Sequence, residues 1–264
     1  MNIAAGRVED KITVIAGVGT GVGRACMTVF GREGATVIGS ARTQENLDES
    51  LRLAKEAGGD GFVLAADLSK PESADELIKA VMDKYGRIDI LVNSVGVGYS
   101  WIEKSPGSME DIVNTTPEKW HEVMAINLDA CFYLSRGVVP VMQEQGGGAI
   151  VNVGSISGFQ GLPVAHTYTA AKGAMLNLTR SLCVTYAKDN IRTNCIAPGV
   201  IATPMVESIL GMFDDDDMAD RLTPMKRPGT PEEMALGCLY LGSDEASYCN
   251  GTILTIDGGT TARQ

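Results

Sequence analysis

Apolar residues in this chain come in short β-branched runs, each followed by a stretch of helical spacing. Such alternation predicts parallel strands joined by crossover helices. The run Lys11-Ile-Thr-Val-Ile-Ala-Gly17 predicts a first strand over 12–17. A helix over 22–33, a strand over 35–41 and a helix over 47–57 with a Gly-Gly stop follow. The pattern continues with a strand over 61–66, a helix over 71–85 opened by proline, and a strand over 88–93. Residues 97–116 are polar and marked by glycine and proline, so they read as a connection. Thr116-Pro-Glu118 opens a long helix to roughly Gln143. Strands over 148–153, 191–196 and 252–256 alternate with helices over 167–187 and 231–241, and 200–227 reads as a loop with small helices. The fold class expected is α/β: one Rossmann-like, doubly wound parallel sheet of about seven strands in a single domain over 1–264.

Composition narrows the partners. The chain has 264 residues with 44% hydrophobic and 21% charged, ordinary for a globular protein. No apolar run is long enough to span a bilayer, so no membrane partner is expected. Met1 to Asp10 lacks a signal-peptide core and reads as a short disordered lead, which makes the cytoplasm the expected location. A net charge of −11 argues against nucleic acid, and equally against docking an acidic carrier protein. The six cysteines are scattered without C-x-x-C or Cys/His clustering, so no metal is expected. Asp214–Asp217 reads as a solvated loop face.

Chemistry enters at two places. Gly17, Gly21 and Gly23 form G-x-x-x-G-x-G between the first strand and the first helix. Glycines there allow a tight turn and close backbone approach to a pyrophosphate at the helix N-terminus. Further on, Tyr168 and Lys172 lie four apart on one helical face, with Ser155 thirteen residues before Tyr168. An ammonium beside a phenol favours the phenolate, so Lys172 is expected to lower the Tyr168 pKa from about 10. A serine hydroxyl beside them suits proton exchange with a substrate oxygen.

With these motifs the chain resembles the short-chain dehydrogenase/reductase family, in its single-domain branch. The resemblance runs over nearly the whole sequence. It is carried by Gly17-x-x-x-Gly21-x-Gly23, Asp67, Asn93-Ser94-Val95-Gly96, Asn127, Ser155, Tyr168-x-x-x-Lys172 and Pro198-Gly199 in family order. Two departures touch the cofactor floor: Ala16 stands for the usual Thr, and Asn-Ser-Val-Gly for the usual Asn-Asn-Ala-Gly. The resemblance implies a nicotinamide-dependent oxidoreductase with the tetrad Asn127, Ser155, Tyr168 and Lys172. It implies dinucleotide contacts from Gly17, Thr20, Gly21, Val22, Gly23, Asp67, Leu68, Asn93 and Gly96, and from Tyr168, Lys172, Pro198, Gly199, Ile201 and Thr203. A homo-oligomer, tetramer or dimer, is implied as well.

Residues at the end of the second strand choose between NAD and NADP. Ala41 stands where NAD-preferring relatives place an acid, and Arg42 follows. A guanidinium matches phosphate geometry, with Ser40 as a neutral donor, so NADP is expected over NAD. The substrate expected is a small-molecule secondary alcohol or ketone, moderately lipophilic and of cyclic or steroid-like type. Candidate contacts are Tyr99, Trp101, Phe159, Leu162, His166 and Met205, with the methionine-rich 200–227 loop as cover. Alternatives are a 3-oxoacyl-carrier-protein reductase-like enzyme and a non-enzymatic dinucleotide-binding redox sensor.

Overall fold

The computed structural model describes residues 6–263. Seven strands form one parallel sheet: β1 (Ile12–Ala16), β2 (Thr36–Ala41), β3 (Asp60–Ala65), β4 (Ile90–Asn93), β5 (Gly148–Val153), β6 (Ile191–Pro198) and β7 (Ile253–Ile256). Their spatial order is β3-β2-β1-β4-β5-β6-β7. The chain winds outward from β1 in one direction and resumes from β4 in the other. A crevice therefore opens past the carboxyl ends of β1 and β4, where α/β sheets place ligands.

Helices cover both faces. α1 (Gly21–Arg32), α2 (Gln44–Glu56), α3 (Pro71–Tyr85), α4 (Pro117–Met124), α5 (Ala130–Gln145) and α6 (His166–Tyr186) precede three in the C-terminal third. Those three are α7 (Glu207–Leu210), α8 (Asp216–Leu222) and α9 (Pro231–Gly242). One core layer joins Met27 and Phe30 of α1 to Cys238 and Leu239 of α9 against Ile15, Val92 and Val151. The other packs Leu77 and Val81 of α3 with Leu134 and Met142 of α5 against Val14, Leu91 and Ile150. The central strands β1, β4 and β5, buried on both faces, explain the unbroken apolar runs in the sequence.

Three local differences from the sequence reading appear. Within the supposed disordered lead, Val8 is buried and its N–H donates to the Glu33 carbonyl at 3.2 Å. Residues 1–5 of that lead lie outside the described residues. The long helix is interrupted by a π-helical turn, Ala125–Asp129, between α4 and α5. The acidic run is a helix start: the Asp215 carboxylate accepts from the Asp217 and Met218 N–H groups and caps α8. Among the described residues no cluster of three or more His, Cys, Asp or Glu could hold a metal ion, and no helix is long and apolar enough to cross a membrane.

Candidate active site

The floor of the crevice is the glycine turn after β1. Gly17 has φ of +85°, and a Cβ there would lie 2.5 Å from the Ser94 carbonyl oxygen. Its N–H donates to the Ser40 carbonyl at 2.7 Å, which ties the turn to β2. A Cβ on Gly23 would overlap the Gly17 carbonyl, so this glycine lets α1 sit against the turn rather than contacting a ligand. Arg24 braces the turn from outside, donating to the Gly19 carbonyl and to Ser50 Oγ. At the N-terminus of α1, Thr20 provides no side-chain cap, and Gly21 and Val22 line the cavity. Uncapped first-turn N–H groups suit a phosphate.

Two connected spaces rise from this floor, both bordered by Gly17, Thr20, Ser94, Gly96 and Met205. The first, about 300 Å³, runs past Arg42, Asp67 and Leu68. The second, about 440 Å³, lies over Ser155, Tyr168 and Lys172 and past Pro198, Gly199, Ile201 and Thr203. A bare glycine floor, uncapped helix donors and two joined lobes fit a dinucleotide. Arg42, Asp67 and Leu68 would hold its adenosine end; Lys172, Gly199, Ile201 and Thr203 would hold its nicotinamide end. When bound, a nicotinamide ring exchanges hydride with a carbon atom.

Tyr168 and Lys172 share the inward face of α6 and are both buried. The chain enters this helix through Ala165, a non-glycine residue at φ +57° whose N–H donates to the Met109 carbonyl. That left-handed turn points the first turn of α6 at the crevice. Lys172 Nζ donates to the Val153 carbonyl at 2.9 Å and stands 5.8 Å from the centre of the Tyr168 ring. Ser155 follows β5; its hydroxyl donates to Ser157 Oγ and accepts from Ser157 N–H, both at 3.1 Å. Asn127 sits in the π turn, fully buried. Its side chain accepts from Val97 N–H at 3.2 Å and donates to the Val123 carbonyl at 3.1 Å, so it ties the π turn to the segment after β4.

The electrostatics correct the expectation that Lys172 lowers the Tyr168 pKa. Burial pushes the phenol up to about 12, and the facing Ser155 hydroxyl offsets only part of this. Burial also lowers Lys172 itself to about 8. Desolvation is the largest effect on both groups. At neutral pH the phenol is therefore protonated and able to donate to a carbonyl oxygen.

Several expected contacts lie elsewhere. The Asn93 side chain turns away from the crevice and donates to Asn152 Oδ1 at 2.8 Å, joining β4 to β5. Ser40 Oγ donates to the Leu64 carbonyl at 2.9 Å and is buried between β2 and β3. In both cases strand pleating points the side chain into the fold. Trp101 borders the lobe under Arg42 rather than the cavity over Tyr168, because the 3₁₀ turn Tyr99–Glu103 redirects it. Phe159 is half-exposed and, with His166, lies outside the lining of either lobe; His166 opens α6 near Asp111. Tyr99, Leu162 and Met205 do line the cavity.

The sequence reading missed Gln160, Val206 and Ile209 as lining residues. Val206 and Ile209 stand three apart, a helical spacing that was a usable signal. Lys104, also missed, borders the other lobe.

Comparison with known proteins decides the family. A family model described as Enoyl-(Acyl carrier protein) reductase matches residues 17–261. A 3-oxoacyl-[acyl-carrier-protein] reductase FabG of Thermotoga maritima is 37% identical over 255 residues, 96% of this chain and 98% of its own length. The solved structure of a short-chain type dehydrogenase/reductase from Mycobacterium marinum superposes with a TM-score of 0.88 at 27% identity, covering 97% of each chain. The chain belongs to the short-chain dehydrogenase/reductase family. As a short-chain dehydrogenase/reductase it is an oxidoreductase acting on alcohols and ketones, and its family binds NAD or NADP. The L-sorbose reductase of Gluconobacter frateurii, solved with NADPH and L-sorbose, shares 32% identity and a TM-score of 0.89 over 99% of this chain and 100% of that one.

Proposed function

We propose that this short-chain dehydrogenase/reductase uses NADP(H) to interconvert a secondary alcohol and a ketone on an uncharged, moderately lipophilic, cyclic substrate. The observation that carries this reading is the cavity over Tyr168. Its walls include Leu162, Val206, Ile209 and Leu222, and among the described residues Lys172 is its one charged lining residue. An apolar wall with a few hydroxyls selects a neutral molecule and orients it by one oxygen.

In this reading Ser155 releases Ser157 and holds the substrate oxygen. Tyr168 donates its proton to that oxygen in reduction and takes it back in oxidation. Lys172 stays fixed by the Val153 carbonyl while its remaining N–H donors face the cofactor side. Asn127 acts through the π turn, keeping Val97 and Gly96 in place. NADP is favoured by Arg42 and by the absence of an acid at Ala41. Residues 200–227 form the substrate cover. Assembly as a dimer or tetramer through α5 and α6 accounts for exposed Phe132 and Val184 on those helices, and light scattering of the purified chain tests it.

A second reading, a carrier-protein acyl reductase, is favoured by the relative from Thermotoga maritima. The net charge of −11 opposes docking of an acidic carrier. Absorbance at 340 nm, followed with each cofactor across cyclic ketones, acyclic ketones, ketoacids and an acetoacetyl thioester, separates the two. Turnover of cyclic ketones with NADPH supports the first reading. Turnover confined to the thioester supports the second.

A further inference from the structure

The lobe under Arg42 is lined by two cations, Arg42 and Lys104, and one carboxylate, Asp67. The Arg42 guanidinium carbon lies 4.8 Å from the centre of the Trp101 ring, and Lys104 Nζ lies 5.9 Å from the same centre. Arg42, Trp101 and Lys104 all border this lobe. Trp101 is held in place: its Nε1 donates to Glu122 Oε1 at 2.8 Å. Glu122 is also engaged by Ser105 Oγ and Lys119 Nζ.

Among the described residues, neither Arg42 nor Lys104 has a carboxylate within ion-pair distance. Seven of the twelve arginines make such pairs but only four of the ten lysines do, so the lack of a partner sets Arg42 apart more than Lys104. Two like charges gathered on one indole repel each other, and a bound anion between or beside them removes that cost. The indole compensates in part by cation–π attraction and fixes where the cations sit.

We propose that Lys104, carried in by the 97–116 connection, is a second determinant of 2′-phosphate recognition beside Arg42. Trp101 is the positioning residue that brings the two cations together. The inference rests on the NADP reading above. It explains how this chain grips a 2′-phosphate with Thr20, not a basic residue, in its glycine turn. The grip comes from the far side of the crevice. Specificity would then depend on the connection closing over the adenosine end as well as on the end of β2.

Equilibrium binding tests this without turnover. The probes are 2′,5′-ADP and 5′-AMP, titrated calorimetrically and by tryptophan fluorescence, since Trp101 and Trp120 are the only tryptophans. The wild-type chain should bind 2′,5′-ADP more tightly than 5′-AMP. Lys104→Gln, at an exposed position, should weaken 2′,5′-ADP by about fivefold to tenfold and leave 5′-AMP unchanged. It should also make 2′,5′-ADP binding less sensitive to salt. Trp101→Leu should reduce the same preference, and Trp101→Phe should restore most of it.

An unchanged ratio in Lys104→Gln, while Arg42→Ala abolishes the preference, would overturn the inference and keep the NADP reading. Equal weakening of both probes would also overturn it, as a general charge effect. A wild-type chain that does not discriminate between the probes would overturn both.

Discussion

The two lobes share a glycine floor and differ in almost everything above it. The lobe under Arg42 is polar, and among the described residues its edge cations Arg42 and Lys104 make no ion pair, with Asp67 on the same lining. The cavity over Tyr168 is walled mainly by apolar side chains, and the Lys172 ammonium on its lining is buried deeply enough to fall to about 8. Charge near the surface recognises an anion without a large desolvation cost. Charge in the cavity carries that cost, so its ammonium is held by the Val153 carbonyl rather than by an acid. One half of the crevice recognises; the other holds groups away from their solution pKa values, as active sites do.

The sharpest way to break this contrast is at Lys172. Lys172→Met should lower kcat/KM by about 10³-fold, within the range for groups that set up acid–base catalysis. It also carries a stability signature. The folded-state pKa of Lys172, about 8, lies below its ordinary 10.5. Between those values the folded chain binds fewer protons than the unfolded one, so this group makes stability rise with pH across that window. Below pH 8 its buried charge opposes folding. Lys172→Met should therefore be more stable than wild type at pH 7, with the difference shrinking toward pH 10.5 in urea unfolding. A difference independent of pH would contradict the burial argument.

Arg42→Ala should weaken NADPH by about 30-fold and change NADH little, because only the former meets the guanidinium with a 2′-phosphate. Equal losses would assign Arg42 to stacking on the adenine. A smaller effect is expected on the other side of the floor. Ile209→Ala should raise KM for a cyclic ketone by about fivefold and leave kcat nearly constant, since it removes apolar contact made equally in ground and transition states. A fall in kcat instead would place α7 closer to the reacting atoms. The smallest effect belongs to the cover itself. Asp215→Ala removes the α8 cap and should cost about 1 kcal/mol of stability, read by thermal unfolding.

The sequence carried the parallel sheet, the glycine turn and the shared face of Tyr168 and Lys172, because each depends on spacing alone. Asn93 and Ser40 escaped it: Asn93 ends β4 and Ser40 is the last residue but one of β2, and which way a side chain near a strand's end points is set by pleating and neighbours. Trp101 escaped because a five-residue 3₁₀ turn, Tyr99–Glu103, decides its direction, and no periodic signal marks such a turn. Lys104 became visible only through that turn. The pKa error had another origin. Four-residue spacing implies proximity, yet the depth of burial decides whether a phenol is eased or hindered in losing its proton. Ala165 belongs with these: nothing in its side chain announces the left-handed backbone that starts α6.

Tyr168, as the group that gives and takes the substrate proton, is the residue on which the proposed reaction depends most. Tyr168→Phe keeps the ring and removes only the hydroxyl. With a turned-over ketone and NADPH, kcat/KM should fall by at least about 10³-fold while the Kd for NADPH, measured in parallel, stays within about twofold. A variant that retains activity within tenfold of wild type, with the same cofactor affinity, would contradict it.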